Sequence, residues 1–342
     1  MTDRAARWQD CHDGNILHAD GKFWNFCMAY GNCHNKGCAS DDCGGRLDHN
    51  ISIYSSHDLT SGSWSYVADL LPYATRLSGT YYRPKVVQNP STKKWIFWVN
   101  VLPRASWSAP VDFSKSSYLV ATADAPQGPY DVQVQNATTK YGEGGDFNLF
   151  VDDDGTGYII YTALAEKHQV SIAPLTADFL HTVPAKNTAL LPGQDGCTES
   201  PSMFKRGKTY YALIAVCSCF GVGGSDTLVY TAEQPLGPYT QHASLGNAEK
   251  SQQNNVFTVA LASGETAYVF TGDRWKSTPD GEKAHDFQYW QPLNFSSSSA
   301  SSLSGATAEQ QQQQHGPPAA GKAVISPLLS AATLPTFKLD LK

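Results

Sequence analysis

Carboxylate side chains recur at a nearly constant distance ahead of aromatic residues along this sequence. Asp13, Asp146 and Glu199 each precede such a residue by ten to twelve positions, and Arg83 occupies the same place before a fourth one. Two carboxyl groups that face one pocket can divide acid and base work, because one protonates a leaving oxygen while the other activates water. A third carboxylate nearby raises the pKa of the acid through like-charge repulsion. Cleavage of a glycosidic bond requires such a set, provided that the fold brings its members together.

The aromatic residues belong to a repeat of short strand-like segments. Phe23, Trp95, Tyr158, Tyr210 and Tyr268 mark five units, separated by 72, 63, 52 and 58 residues. Turn residues precede the markers and a further strand-like segment follows, while capped helical periodicity is rare. A period of this size is typical of propeller blades, whose innermost strands line one central channel. We therefore expect an all-β fold, a five-bladed β-propeller with four-stranded blades, whose channel unites the carboxylates and the arginine.

The composition divides the chain into three parts. The propeller is expected to span residues 10–294. Residues 295–322 are rich in Ser, Ala, Gly and Pro and contain the run Gln310 to Gln314, which predicts a low-complexity linker or a disordered loop. Residues 323–342 regain apolar side chains, and they are expected either to add a closing strand or to begin a further domain.

Charge and hydropathy exclude two classes of partner. The chain of 342 residues has 25 Lys and Arg against 31 Asp and Glu, a formal net charge of -6, without the basic stripe that nucleic-acid binding requires. No apolar run approaches the roughly 18 residues of a membrane helix. We expect neither a nucleic-acid nor a membrane partner. We expect the protein to be a monomer.

The eight cysteines favour disulfides, since five of them lie in the first 43 residues. A structural zinc site is the alternative for Cys27, Cys33, Cys38 and Cys43, but their spacings lack a tight Cys-x-x-Cys pair. A stapled surface insertion is the preferred interpretation.

Three glycosylation sequons agree with the cysteines in predicting a protein of the secretory pathway. They begin at Asn50, Asn136 and Asn294. Because residues 1–9 lack the apolar stretch of a signal peptide, we expect that signal upstream of this sequence.

Three short segments in blade order resemble glycoside hydrolase family 43, the five-bladed propeller glycosidases, and the resemblance covers nearly all of residues 10–293. The segment from Asp13 to Ile16 is similar to the first-blade motif whose Asp is the general base. The segment 146–155 resembles the third-blade motif whose first Asp, here Asp146, tunes the pKa of the acid. The segment 198–205 resembles the motif that carries the general acid, here Glu199. The resemblance implies inverting hydrolysis of terminal sugars.

Further segments resemble the exo-β-1,3-galactanase branch of that family. These are residues 83–86, 199–206 and 272–275, and Gln252 resembles the glutamine that holds the water there. Gln253 is the alternative for that place, and the register favours Gln252. Tyr82 stands where the branch often has Glu, and Asp13 where it typically has Gly. The resemblance implies a plant or algal-type β-1,3-galactan as substrate, with arabinan or xylan side chains as the alternative. A propeller that binds polysaccharide or oligosaccharide without cutting it is the alternative from another class.

Several site residues keep an ordinary structural alternative. Arg83 is expected either to contact substrate or to form an ion pair in the channel. Asp13 and Asp146 also suit turns. Trp275 is expected to belong to a structural corner of the fifth blade or to line the sugar cleft.

No cofactor is expected from these residues. Some members of the resembled family carry calcium in the channel, and the sequence leaves a structural calcium open. The acidic run of residues 152–154 lacks the spacing of a twelve-residue calcium loop and predicts a hairpin turn.

Overall fold

The computed structural model describes residues 9–33, 43–106, 108–142, 144–188, 190–191, 196–261, 263–296 and 324–327. Within these ranges the chain forms five antiparallel sheets. The first sheet consists of β1 (His12–Ala19), β2 (Lys22–Ala29), β3 (Asn50–Ser56) and β4 (Ser65–Asp69). The second consists of β5 (Gly79–Gln88), β6 (Trp95–Pro103), β7 (Ser117–Ala123) and β8 (Asp131–Ala137). The third is β9 (Gly144–Val151), β10 (Gly157–Ala163) and β11 (Gln169–Pro174). The fourth consists of β12 (Thr198–Arg206), β13 (Thr209–Val216), β14 (Asp226–Ala232) and β15 (Thr240–Asn247). The fifth consists of β16 (Gln252–Ala260), β17 (Thr266–Arg274), β18 (Phe287–Ser296) and β19 (Val324–Pro327).

The helical elements of the described residues are short 3-10 turns. They are Tyr73–Thr75, Phe113–Lys115, Leu164–Glu166, Pro184–Lys186, Ala248–Lys250 and Lys283–His285. Within that part of the chain, no helix has the length and apolar character needed to cross a membrane.

The first strands of the five sheets contact one another in a closed ring, β1 to β5, β9, β12, β16 and back to β1. The sheets are therefore the blades of a five-bladed β-propeller, as the repeat predicted. The third blade has three strands among the described residues, so four-stranded blades hold for the other four.

Hydrophobic clusters fill the spaces between neighbouring blades. The cluster between the fifth and first blades includes Phe257 of β16 against Phe23 of β2, with ring centroids 6.5 Å apart. The other four clusters join consecutive blades in the same way. The repeat arises from these clusters, because each aromatic marker lies in the second strand of its blade and packs there. The markers are Phe23, Trp95, Tyr158, Tyr210 and Tyr268.

Every innermost strand carries a bulge at a site residue or within two residues of one. The register of the strand pairs shifts between His12 and Asn15, Tyr82 and Lys85, Glu199 and Ser202, and Gln253 and Asn255, and between Tyr161 and Ala163 opposite the start of β9. A bulge inserts an extra residue and re-aims the side chain that it carries. The repeat of polar residues in the sequence is therefore a repeat of bulges in the structure.

Three bulge residues adopt a backbone conformation that is costly outside glycine. Asp13, Arg83 and Ser200 have φ of 61°, 54° and 51°. Next to Asp13, the strands approach so closely that a Cβ on Gly14 would lie 1.8 Å from the carbonyl oxygen of Phe26. Such conformations persist only where surrounding contacts hold them.

The cysteines of the described residues form disulfides, which the sequence favoured over a zinc site. Cys11 pairs with Cys27, Cys33 with Cys43, and Cys197 with Cys217, and Cys219 is disulfide-bonded as well. The zinc interpretation is wrong for Cys27, Cys33 and Cys43, because a sulfur in a disulfide is not a thiolate ligand. Cys38 lies outside the described residues.

The last described segment of the chain, residues 324–327, is one strand, β19. β19 pairs antiparallel with β18 and forms the edge of the fifth blade. Residues 297–323 and 328–342 lie outside the described residues, so the predicted linker stays a prediction.

The acidic run forms a hairpin turn, as predicted. The turn between β9 and β10 closes through the N–H of Gly155, which donates to the carbonyl oxygen of Asp152 at 2.9 Å. The carboxylate of Asp152 binds Lys205 Nζ at 2.7 Å and accepts a hydrogen bond from the Tyr210 hydroxyl at 2.6 Å. It joins the third blade to the fourth.

A fully buried lysine lies among the bulges. Lys85 Nζ donates to the carbonyl oxygens of Asp13 at 2.9 Å, Gly14 at 2.7 Å and Asn254 at 3.3 Å. Burial and then the nearby Arg83 charge lower the pKa of Lys85 to about 7. Lys85 thus joins the first, second and fifth blades through backbone oxygens.

Replacing Lys85 by methionine is expected to reduce the free energy of unfolding by about 3 kcal/mol, because buried carbonyl oxygens lose their donor. Urea denaturation followed by tryptophan fluorescence measures the change. Lys94→Met is the matched control, since its partly exposed side chain pairs with Asp124 at the surface and is expected to contribute under about 1 kcal/mol. Equal losses in the two variants would contradict a structural role for Lys85.

Candidate active site

A cavity of about 400 Å³ lies against the innermost strands, within the size range of small-molecule sites. Its wall contains six of the seven residues that the sequence singled out. They are Asp13, Tyr82, Arg83, Asp146, Glu199 and Gln252. The seventh, Trp275, is 1% exposed and lies behind Gln252. The rest of the wall includes apolar side chains suited to the apolar face of a sugar ring, among them Leu102, Phe113, Leu164 and Phe220.

Asp13 is oriented by contacts on both its backbone and its carboxylate. Its N–H donates to Asp273 Oδ2 at 2.8 Å, and the Tyr30 hydroxyl donates a short hydrogen bond to its Oδ2. Its Oδ1 lies 3.5 Å from Arg83 Nε. One carboxylate oxygen is therefore engaged by a phenol, while the other remains to accept a proton.

Arg83 lies at the centre of the site and is 3% exposed. Its Nη1 donates to Asn254 Oδ1 at 2.6 Å and to the carbonyl oxygen of Gln253 at 3.1 Å. Its Nη2 lies 3.0 Å from Asp146 Oδ2 and donates to Ser200 Oγ at 2.5 Å. These contacts make Arg83 an ion-pair partner within the channel, next to the cavity.

Asp146 is connected to the strand that carries Glu199. Its Oδ2 accepts hydrogen bonds from the N–H of Ser200 at 3.1 Å and from Ser200 Oγ at 3.0 Å. The positive φ of Ser200 turns that N–H toward the third blade. Asp146 therefore fixes the residue directly after Glu199.

Glu199 receives three hydrogen bonds on one carboxyl oxygen. Its Oε1 accepts from the N–H of Ser218 at 2.8 Å, the N–H of Cys219 at 3.0 Å and Gln252 Nε2 at 2.5 Å. The disulfide between Cys197 and Cys217 joins the segment before Glu199 to the segment that supplies the two backbone donors. A proton on Glu199 consequently belongs on Oε2.

Gln252 lies between Trp275 and Glu199. The indole N–H of Trp275 donates to Gln252 Oε1 at 2.8 Å, so that Nε2 of the amide points to Glu199. This contact fixes the orientation of the amide, because only its nitrogen can donate. The structure thus places Gln252 against the carboxyl of Glu199.

Two neighbours complete the surroundings of the carboxylates. Tyr82 lines the cavity, and burial and then the Asp146 charge raise the pKa of its phenol, which keeps it a hydrogen-bond donor. Beneath Asp13, the buried carboxylate of Asp273 contacts His12 Nδ1 at 3.0 Å. Burial alone would raise the pKa of Asp273, but His12 together with the hydrogen bonds from the Asp13 N–H and Asn254 holds it below its usual value.

Burial raises the pKa of Glu199, and the negative charge of Asp146 raises it further. Burial also raises the pKa of Asp13, but Arg83 and the hydrogen bond from Tyr30 oppose that shift. Burial alone would lower the pKa of Arg83, but Asp146, Asp13 and Glu199 raise it. The pKa values of both carboxyl groups are thus raised, that of Glu199 beside a like charge and that of Asp13 beside a permanent cation that opposes the shift.

The three carbonyl oxygens that converge on Lys85 in the channel are engaged by that lysine and are not free ligands for a calcium ion. Calcium takes six to eight oxygen ligands, whereas the carbonyl oxygens of Asp13, Gly14 and Asn254 are hydrogen-bonded to the Lys85 ammonium. Another group in the described part has His168, Cys197 and Cys217 atoms within 4.8 Å of one another. Its two sulfurs form a disulfide and are not thiolates.

Sequence reasoning missed the residues that hold the carboxylates. Tyr30 and the N–H groups of Ser218 and Cys219 follow the ends of strands, outside the repeat. Ser200 was visible next to Glu199, but its contact with Asp146 depends on a positive φ that no sequence pattern records.

Comparison with known protein families matches residues 105–269 to the family described as glycosyl hydrolases family 43. The matched range includes Asp146, Glu199 and Gln252, whereas Asp13 and Arg83 precede it. Among curated proteins, a xylan 1,3-β-xylosidase from Vibrio sp is 25% identical over 258 residues, which is 68% of this chain and 45% of that protein.

Solved structures share the fold at low identity. A family 43 β-1,3-galactosidase is 24% identical with a TM-score of 0.68, over 85% of this chain and 58% of its own. An exo-β-1,3-galactanase from Clostridium thermocellum is 22% identical with a TM-score of 0.67, over 86% of this chain and 61% of its own. This chain thus spans about half to three fifths of the length of these proteins. The match to glycosyl hydrolases family 43 over residues 105–269 thus lies within a five-bladed propeller, a fold that these solved structures share.

Proposed function

We propose that this protein is an inverting glycoside hydrolase that removes terminal sugars from a β-1,3-linked polysaccharide. The observation that carries the proposal is the contrast between two carboxyl groups in one cavity. Glu199 is held by neutral donors beside a like charge, and Asp13 is held by a phenol beside a guanidinium. Such a contrast divides the acid and base roles.

Glu199 acts as the general acid. Three donors occupy its Oε1, so the proton on Oε2 is the one available to the glycosidic oxygen. Burial and the charge of Asp146 raise the pKa of Glu199, which favours its protonated form. Through Ser200, Asp146 also orients the backbone beside the acid.

Asp13 acts as the general base toward water. The water oxygen forms the new bond to the anomeric carbon while its proton passes to Asp13, and the bond to the leaving oxygen breaks as that oxygen takes the proton of Glu199. Because the displacement occurs once, the anomeric configuration inverts. Gln252 contributes by fixing the carboxyl of Glu199.

The substrate choice draws on the proteins that share the fold. Two of them are named for β-1,3-linked galactose, which makes a terminal β-1,3-galactosyl unit the first candidate. The second candidate is a terminal β-1,3-xylosyl unit, because the curated relative is named for that substrate. Tyr82 in the cavity wall, in place of a glutamate, favours testing the xylosyl unit as well.

The compartment is part of the proposal. Disulfides are typical of secreted proteins, and the three sequon asparagines, Asn50, Asn136 and Asn294, are exposed. We expect a secreted glycoprotein.

Glu199→Gln is expected to reduce kcat on the best polymer by roughly 10²- to 10⁴-fold, because the amide cannot protonate the leaving oxygen. The same loss is expected for Asp13→Asn. Purified protein is incubated separately with β-1,3-galactan, β-1,3-xylan and arabinan, and NMR identifies the released sugar and its first-formed anomer.

Glu233→Gln, an exposed substitution far from the cavity, is the matched control and is expected to retain full turnover. Inverted galactose supports the first candidate, and inverted xylose the second. Release of the retained anomer would contradict single displacement. Polymer binding without release by the wild-type protein would favour a glycan-binding propeller.

Asp146→Asn is expected to move the alkaline limb of the pH profile of kcat/KM to lower pH. Activity requires protonated Glu199 and is lost as the pH rises through its pKa. Asp146 raises that pKa, so its removal lets Glu199 ionise earlier. The measurement is kcat/KM from pH 3 to about pH 9 beside Asp131→Asn, an exposed control in β8. An alkaline limb that stays in place would show that Asp146 does not tune the acid.

A further inference from the structure

Lys283 is fully buried in a 3-10 turn behind the site. Its Nζ lies 3.2 Å from the ring centroid of Phe220, 3.7 Å from that of Trp275 and 4.5 Å from that of Tyr30. An ammonium within about 6 Å of an aromatic face is attracted by the negative charge of that face. The lysine is thus surrounded on three sides by aromatic rings.

The three rings form a rigid cage, because they stand nearly perpendicular to one another. The interplanar angle is 80° between Phe220 and Trp275, 83° between Tyr30 and Phe220, and 83° between Tyr30 and Trp275. Edge-to-face pairs of this kind are stabilising. Each ring also presents a face to the cation.

Every ring of the cage leads to a residue of the proposed reaction. The Tyr30 hydroxyl donates to Asp13, and the Trp275 N–H donates to Gln252, whose amide donates to Glu199. Phe220 follows Cys219, whose N–H donates to Glu199. Both carboxyl groups are therefore connected to the same cage.

We infer that Lys283 is a positioning residue, which orders the aromatic cage and through it aligns Asp13 and Glu199 on opposite sides of the bond to be cleaved. The inference rests on the proposed function. A cation on the face of a ring withdraws π-electron density, so that the O–H of Tyr30 and the N–H of Trp275 become stronger donors. Lys283 therefore fixes the ring positions and strengthens the bonds that hold the base and the glutamine.

Through its ring contacts, the lysine is connected to the reacting groups by the donors on Tyr30 and Trp275. Its backbone N–H is bonded elsewhere, to the carbonyl oxygen of Cys33 at 2.9 Å, and this bond fixes the turn whatever side chain it carries. A neutral side chain of similar length is expected to fill the cage without polarising its rings. Positioning should then be lost while the fold is kept.

The test uses Lys283→Met with Lys283→Gln as a second neutral variant, and Lys283→Arg, which keeps the charge over the rings. The neutral variants are expected to lower kcat by about 10- to 100-fold, the loss typical of small misplacements, with KM changed by under about threefold. Arginine is expected to restore kcat to within about threefold of the wild type. Melting temperatures establish that the assay temperature lies below unfolding for each variant.

The pH profile gives a second readout that a merely structural role would not move. A weaker bond from Tyr30 stabilises ionised Asp13 less, so the acid limb of kcat/KM is expected at higher pH in the neutral variants. The other charged groups around Asp13 keep their identity in these variants, namely Arg83 and Lys85 of β5, Asp146 of β9, Asp273 of β17 and His12 of its own strand. The Lys283 charge lowers the pKa of His12, so Lys283→Arg, which keeps that charge, is expected to keep the acid limb in place.

Arg206→Met is the matched control, because the Arg206 guanidinium lies 4.3 Å from the Phe295 ring, remote from the cavity. It removes a cation–π contact and is expected to leave kcat and the acid limb as in the wild type. Wild-type kcat and an unmoved acid limb in a folded neutral variant would overturn the role of Lys283. Equal loss of kcat in the arginine and neutral variants would do the same. Absence of turnover by the wild type on every polymer would instead contradict the proposed function.

Discussion

The guanidinium of Arg83 contacts the innermost strands of all four other blades. It lies against Asp13 of the first, Asp146 of the third, Ser200 of the fourth and Asn254 of the fifth. Burying an arginine without partners is very costly, so its presence at the centre requires that each blade supply an acceptor there. The carboxylates of Asp13 and Asp146 are among those acceptors. The contacts that stabilise the centre of the propeller therefore also position carboxyl groups of the site.

The bulges follow from this requirement. In a regular strand, side chains alternate between the two faces of the sheet, and these faces are packed against neighbouring blades through hydrophobic clusters. An extra residue is needed to aim a polar side chain along the channel instead. The positive φ of Asp13, Arg83 and Ser200 is the local cost, and the hydrogen bonds to Asp273, Asn254 and Asp146 offset it.

Much of this could be predicted from the sequence, because it repeats. The aromatic markers pack in the second strand of each blade, and counting back from them reached Asp13, Arg83, Asp146 and Glu199 without a structure. Groups outside the repeat could not be found in this way. Tyr30 and Lys283 lie in irregular segments, and their contacts depend on how those segments cross the end of the propeller. The pairing of Cys197 with Cys217 likewise depends on the fold, since spacing alone permits many pairings.

The contacts of four carboxyl groups in and beneath the site, those of Asp13, Asp146, Glu199 and Asp273, also explain why one of them differs. Asp13 and Asp146 share Arg83, and Asp273 contacts His12. Burial lowers the pKa of His12, but Asp273 and Asp10 together raise it above its usual value. Among the described residues, Glu199 alone of the four has only neutral donors in direct contact. In a buried site the carboxyl without a paired cation is the one that keeps its proton. The acid of the proposed reaction is therefore the carboxyl that the cations leave unpaired, and Gln252, whose amide is neutral, adds no cation beside it.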